Sequence, residues 1–187
     1  MIGKCCLLMA CLLVVGCAGS GPGPANGQVI GRVLNVATGG PPNPAATIQI
    51  ASATTSSSLT DGSFTLTAAV GTTSLTVDNG FPPAWVFSIG PVSGNTDVGD
   101  LWVGAERVTL TGIVRDATTN AIVPSAAVRF GGKIGQTDLT GVFSLADVAY
   151  SSSTQTAFWC IVGDVRATGF FRTEFRAKPN VSLDGAL

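Results

Sequence analysis

The chain reads in periods of two. Ile48 and Ile50 alternate with Thr47 and Gln49, and Phe64 and Leu66 with Ser63, Thr65 and Thr67. Val108, Leu110 and Val114 alternate with Thr109, Thr111 and Arg115. Such alternation, carried by β-branched and aromatic residues, predicts half-buried β-strands. The punctuation between runs belongs to turns: Gly39-Gly40, Pro41-Pro42, Asp61-Gly62 and Asn79-Gly80. No stretch sustains a 3.6-residue period, so the pattern predicts an all-β protein.

The same order of signals occurs twice. Val29–Gly39, Pro44–Ile50, Thr60–Leu66 and Leu75–Phe81 are followed by Leu110–Asn120, Pro124–Phe130, Thr137–Leu145 and Val165–Phe170. Pro44 and Pro124 lie 80 positions apart, as do Ile48 and Val128. Gly31 and Gly112 are 81 apart, and Phe64 and Phe143 are 79 apart. A near-constant spacing across independent landmarks predicts tandem domains, 28–104 and 106–187. Each has room for about seven short strands, the size of a β-sandwich.

The repeated order is G-x-V-x-[ND]-x-x-[TS]-[GN], then P-x-A-x-[VI], then T-D-x-x-G-x-F-x-L. It resembles the carboxypeptidase regulatory-like domain, over residues 28–104 and 107–187. That resemblance implies two tandem seven-stranded transthyretin-like/Ig-like β-sandwiches in a non-catalytic accessory role, with no catalytic residue. The first copy departs from the third motif. Thr60-Asp61-Gly62-Ser63-Phe64 lacks two residues between Asp and Gly.

Residues 1–16 carry one cation, Lys4, and an uncharged apolar run from Cys5 to Val15. The run is half the length of a spanning helix and reads as the core of an export signal. It ends in Val14-Val15-Gly16-Cys17, which resembles the bacterial lipobox. The resemblance implies cleavage after Gly16 and acylation of Cys17. Each buried methylene contributes about 0.8 kcal/mol, so two or three acyl chains make a stable membrane anchor. Ala18 rather than Asp at the next position implies the outer membrane, by resemblance to enterobacterial lipoproteins. Residues 17–27, rich in Gly and Pro, are expected to form a tether of roughly 15–20 Å. Cys5, Cys6 and Cys11 leave with the signal, and Cys160 sits in an apolar run as a small hydrophobe or a reactive thiol.

Composition narrows the chemistry. The 187 residues include 10 Lys+Arg, 11 Asp+Glu and no His, for a net charge of −1. Without His there is no Ser-His-Asp or Cys-His catalysis, no imidazole zinc site and no His acid–base work. The near-zero charge gives no basic field for nucleic acid. We therefore expect no catalytic residue, no cofactor and no metal site. Asp61 and Asp138 read as turn caps rather than calcium ligands, and Asp97 and Asp100 as caps near a strand entrance.

Aromatic side chains supply the binding candidates. Phe81-Pro-Pro-Ala-Trp85 follows a turn, so Phe81 and Trp85 either stack on a sugar or partner, or plug their own sandwich. Phe170-Phe171 holds the matching place in the second copy, with one ring expected to face out from a strand. Trp102 is expected to pack in the core or between domains. Arg166, Arg172, Arg176 and Lys178 make the last third basic, with Arg172 and Arg176 expected on one strand face. The sequence thus points to an envelope lipoprotein held in the membrane by lipid on Cys17, with structural or adhesive modules. The partners expected are an envelope protein or polysaccharide, a carbohydrate bound by Phe81, Trp85 or Phe170 being the second reading. Hydrolysis by the Asp97–Asp100 pair is disfavoured, because the flanking Gly, Asn and Thr offer no apolar pocket sequence of the kind that separates an acid from a base.

Overall fold

The computed structural model describes residues 26–152, 161–177 and the backbone of 183–186. The signal segment, Cys17, Trp159, Cys160 and Lys178 lie outside the described residues. Every regular element among the described residues is a β-strand. Strands β1 (Asn26–Asn35), β2 (Thr47–Ile50), β3 (Ala53–Ser56), β4 (Ser63–Ala69), β5 (Ser74–Asp78), β6 (Trp85–Ser88) and β7 (Asn95–Val103) form the first set. The second set is β8 (Glu106–Arg115), β9 (Ala127–Phe130), β10 (Lys133–Gln136), β11 (Val142–Tyr150), β12 (Gly163–Arg166), β13 (Thr173–Phe175) and β14 (Leu183–Ala186).

The two sets share one topology. A three-stranded sheet β4-β1-β7 faces a four-stranded sheet β3-β2-β5-β6, and β11-β8-β14 faces β10-β9-β12-β13. All pairings are antiparallel except β1 with β7 and β8 with β14. Each set is a seven-stranded β-sandwich. β1 begins at Asn26, so Asn26 and Gly27 stand in a strand rather than in the coil expected for 17–27. Two residues, Gly104 and Ala105, join β7 to β8.

Alternation places the cores. In β4, Phe64, Leu66 and Ala68 point inward, and β2 buries Ile48 and Ile50. Phe143 and Leu145 are buried likewise in β11. A bulge then follows between Leu145 and Val148, with Asp147 at φ 53°. The extra residue restores the phase, so Val148 points into the core again. The packing gives the repeat landmarks their physical meaning. Gly31 pairs with Phe64, and Gly112 with Phe143. A Cβ on Gly31 would sit 2.7 Å from Val98 Cγ2 and 2.9 Å from the Gly99 carbonyl oxygen of β7, as well as 3.1 Å from Cε1 of Phe64, so the glycine leaves space for both the neighbouring strand and the ring.

The loop motifs have equally local causes. Asn35 Oδ1 accepts the Ala37 amide after β1, and Asp116 Oδ1 accepts the Thr118 and Thr119 amides after β8. Each turn then needs a left-handed residue, supplied by Gly39 at φ 73° and Asn120 at φ 58°.

The third motif aligns differently from its letters. Ser57 Oγ and Thr137 Oγ1 accept the equivalent amides of Ala46 and Ala126. The amides of Ser58 and Asp138 donate to the carbonyls of Ser63 and Val142. Ser57-Ser58 therefore holds the place of Thr137-Asp138, Thr60 matches Thr140, and Asp61 is an inserted residue. This corrects the expected match of Thr60-Asp61 to Thr137-Asp138, and the insertion explains why the spacing falls from 80 to 79.

Candidate functional site

The acidic residues serve their own turns. Asp61 Oδ1 accepts the Ser63 amide at 3.0 Å and the Ser63 hydroxyl at 2.8 Å. The Ser63 amide, with the hydroxyls of Ser58 and Ser63, lowers the Asp61 pKa to about 2. Asp138 is held below its ordinary value by the Thr140 hydroxyl and the Val142 amide, and Asp116 by the Thr119 and Thr118 amides. Carboxylates locked in the ionised form are unsuited to donating a proton at neutral pH. Asp97 and Asp100 lie inside β7 rather than at its entrance. Asp97 caps the Gly99 amide at a bulge, and Asp100 takes both Nε and Nη2 of Arg32, at 2.8 and 2.9 Å.

Trp85 is fully buried, so its ring cannot stack on a sugar. It opens β6 with its side chain directed inward. The second sandwich closes over it. The Arg107 guanidinium lies 3.8 Å from the ring centroid, and Arg107 Nη2 donates to the Pro83 carbonyl. Lys133 Nζ donates to the Val86 carbonyl at 2.7 Å and lies 4.8 Å from the Phe87 ring. Burial lowers the Lys133 pKa, with Arg107 adding to the effect. Trp102 is buried in β7, and its amide donates to the Gly131 carbonyl of the β9–β10 hairpin at 3.2 Å. Trp85 and Trp102 thus belong to the junction between the sandwiches.

The exposed aromatics are elsewhere. Phe81 is half exposed in the β5–β6 loop. Phe170 and Phe171 lie in the equivalent β12–β13 loop, not on a strand as the sequence suggests. The Phe170 amide closes a turn on the Ala167 carbonyl, with Gly169 at φ 86°, which ends β12 at Arg166. Phe171 is 94% exposed and Phe170 39%. Gln136 at the end of β10 and Arg166 at the end of β12 both pair with Ala127 at the start of β9. The β10–β11 turn and the β12–β13 loop therefore flank one end of the second sandwich. That end also exposes Leu139 and Ile122, and it is the end away from the connection to the first sandwich.

The basic residues are not a strand face. β13 spans Thr173–Phe175, so Arg172 precedes it and Arg176 follows it. Arg172 instead turns to Asp164, which is buried on β12. Asp164 Oδ2 takes Arg172 Nη2 at 3.2 Å, and Oδ1 takes Arg166 Nε at 2.9 Å. Arg129 on β9 is the direct cross-strand partner of Asp164. Sequence reasoning missed Arg129, because only the register of β9 against β12 brings it to Arg166 and Arg172. Among the described residues, no three Asp, Glu, Cys or His side chains gather as a metal-binding set.

No protein-family model matches the chain, and a search of curated proteins returns no match. Among solved structures, a streptococcal ancillary pilin aligns at 10% identity and TM-score 0.32, over 86% of this chain and 61% of the pilin. The chain thus spans about three fifths of that pilin's length. A Bacillus anthracis TIE protein aligns at 15% identity and TM-score 0.30, over 87% of this chain and 33% of its own. The shaft pilin SpaA of Lactobacillus rhamnosus GG aligns at 12% identity and TM-score 0.27, over 86% and 96%. At these TM-scores the likenesses define neither fold nor function, which rest on the chain's own strands and surfaces.

Proposed function

We propose that this is a non-catalytic envelope lipoprotein, anchored through acylated Cys17, whose second sandwich presents an apolar end to a partner in the envelope. The observation that carries the reading is the exposure of Phe171, Leu139, Ile122 and Phe170 on the loops at that end. Exposed large apolar side chains gathered at one end mark a contact surface rather than a folding requirement. The engaged turn carboxylates support a non-catalytic role. The lipobox-like Val14-Val15-Gly16-Cys17 supports membrane attachment.

Two measurements test the two parts. Cys17→Ser should move the protein out of the membrane fraction and leave an uncleaved precursor. Membrane retention at mature size refutes the anchor. Capture from envelope extract should be lost in the double variant Leu139→Ser and Phe171→Ser but kept in Phe81→Ser. Equal capture by the double variant, by Phe81→Ser and by the unaltered protein refutes docking at the end of the second sandwich. Trp85 offers no stacking surface to a carbohydrate, because the ring has no exposed face.

A further inference from the structure

We propose that the cleft between the two sandwiches binds an acidic saccharide, a sugar carrying carboxylate or sulfate groups, through the guanidinium groups of Arg129, Arg166 and Arg172. The cleft encloses about 430 Å³, within the range of small-ligand sites. One wall comes from β7 of the first sandwich, the other from β9, the β9–β10 hairpin and β12 of the second. Half-exposed Ile134 and Val162 line it beside the cations, which suits the mixed polar and apolar surface of a sugar ring.

The balance of paired and unpaired groups argues for an anionic ligand. Two of the three carboxylates in the cleft are paired with cations, Asp100 with Arg32 and Asp164 with Arg166 and Arg172, while Asp97 takes the Gly99 amide through one oxygen. Guanidinium groups each carry five donors; among the described residues Arg166 engages Asp164 through Nε alone, and Arg172 engages Asp164 through Nη2, which also lies 4.0 Å from Glu174 Oε1. Arg129 is exposed, and among the described residues none pairs with it. The unfilled guanidinium capacity is donor-only, and planar donor forks match carboxylate and sulfate bidentately. Buried Asp164 holds two of the forks in place on a sheet, so the donors are positioned before a ligand arrives.

The first sandwich supplies an internal control. Its residues at the same registers are Gln49 opposite Thr76, where the second has Arg129 opposite Asp164. Asp78 pairs with Thr47 where Arg166 pairs with Ala127. The same seven-stranded fold therefore forms without this cluster, so architecture does not require it. A concave site with two walls also excludes a flat bilayer surface and favours a discrete group.

The test is calorimetric titration of the full chain in neutral detergent with oligogalacturonate, a chondroitin sulfate oligosaccharide, neutral cellotetraose, inorganic sulfate and glycerol 1-phosphate. At least one of the two acidic oligosaccharides should bind, more weakly as salt rises, while cellotetraose does not. Arg129→Gln and Arg172→Gln should each weaken binding roughly tenfold, the scale of one charged hydrogen bond. Arg129 has no described partner to lose, so its variant should fold normally. The bound saccharide should also protect these arginines from phenylglyoxal in the unaltered chain, a readout independent of variants. Equal binding of cellotetraose, unchanged affinity in both variants, or no binding of either acidic oligosaccharide overturns the proposal. Inorganic sulfate binding as tightly as the oligosaccharides would reduce the site to a free-anion site. Tighter binding of glycerol 1-phosphate would assign it to a lipid headgroup.

Discussion

Alanine at Gly62 should be among the most damaging single-methyl additions to this protein, and three glycines allow its cost to be dissected. Gly39, Gly62 and Gly141 all adopt left-handed backbone, at φ 73°, 77° and 77°. Left-handed geometry costs an L-residue roughly 1–2 kcal/mol, offset by up to about 1 kcal/mol from the stiffer unfolded chain. A Cβ at Gly39 meets nothing within 4 Å, so Gly39→Ala should cost only this conformational part, about 1 kcal/mol. At Gly141 the new methyl would lie 3.0 Å from the Val114 carbonyl oxygen and 3.2 Å from Ile122 Cβ. A shift of a few tenths of an ångström relieves that, for a total of roughly 2 kcal/mol. At Gly62 the methyl would overlap the Val33 carbonyl oxygen itself. Val33 is fully buried, and its amide donates to the Gly62 carbonyl at 2.8 Å. Relief therefore needs the turn to leave β1, losing about 1 kcal/mol of hydrogen bond and about 1–3 kcal/mol of packing. Gly62→Ala should cost about 3–5 kcal/mol on that sum. Urea unfolding of the three variants, followed by tryptophan fluorescence, measures the series. A Gly62→Ala cost within about 0.5 kcal/mol of Gly39→Ala would refute the steric reasoning, since that is ordinary surface-mutation scatter.

Other perturbations probe different links. Phe64→Ala and Phe143→Ala should each lower stability by about 3–5 kcal/mol in the same assay, because both rings are buried opposite a glycine; a loss below about 1 kcal/mol at either would mean the strand is out of register. Asp61→Asn should weaken the protein at pH 7. The folded-state pKa of about 2 lies below the ordinary 3.8, so the contribution is complete above about pH 4 and fades as pH falls toward 2. A stability gap between variant and parent that stays constant from pH 6 to pH 2 would refute that origin. Arg107→Ala should uncover Trp85 at the junction and raise fluorescence quenching by acrylamide, whereas unchanged quenching would show that the ring is shielded without the guanidinium.

Much of the architecture was written locally. Alternation in β2, β4 and β11 states which side chains point inward, and the repeat spacing anticipates the shared strand order. Where the reading slipped, identity of letters competed with identity of role. Thr60-Asp61 looks like Thr137-Asp138, yet Ser57 and Ser58 make the equivalent hydrogen bonds. A serine hydroxyl substitutes for threonine, and the turn accepts one extra residue, neither of which a letter pattern records. Phe170-Phe171 failed for a related reason. Two adjacent aromatics favour a strand by propensity, but Gly169 at positive φ turns the chain first.

The binding features were less legible because they arise between segments. Trp85 reads as a loop aromatic until Arg107 and Lys133, from the other sandwich, are placed against the junction. Arg129, Asp164, Arg166 and Arg172 span more than forty positions, and only strand register gathers them. The duplication itself separates the two kinds of information. Positions that pack the sandwich recur in both copies: Gly31 and Gly112, Phe64 and Phe143, Ala46 and Ala126. Positions that differ at equal register, Gln49 against Arg129 and Thr76 against Asp164, are free of that packing constraint. A tandem repeat thus serves as its own control. What both copies keep is the fold's requirement, and what one copy alone has acquired at the same register is where a function peculiar to that copy should be sought.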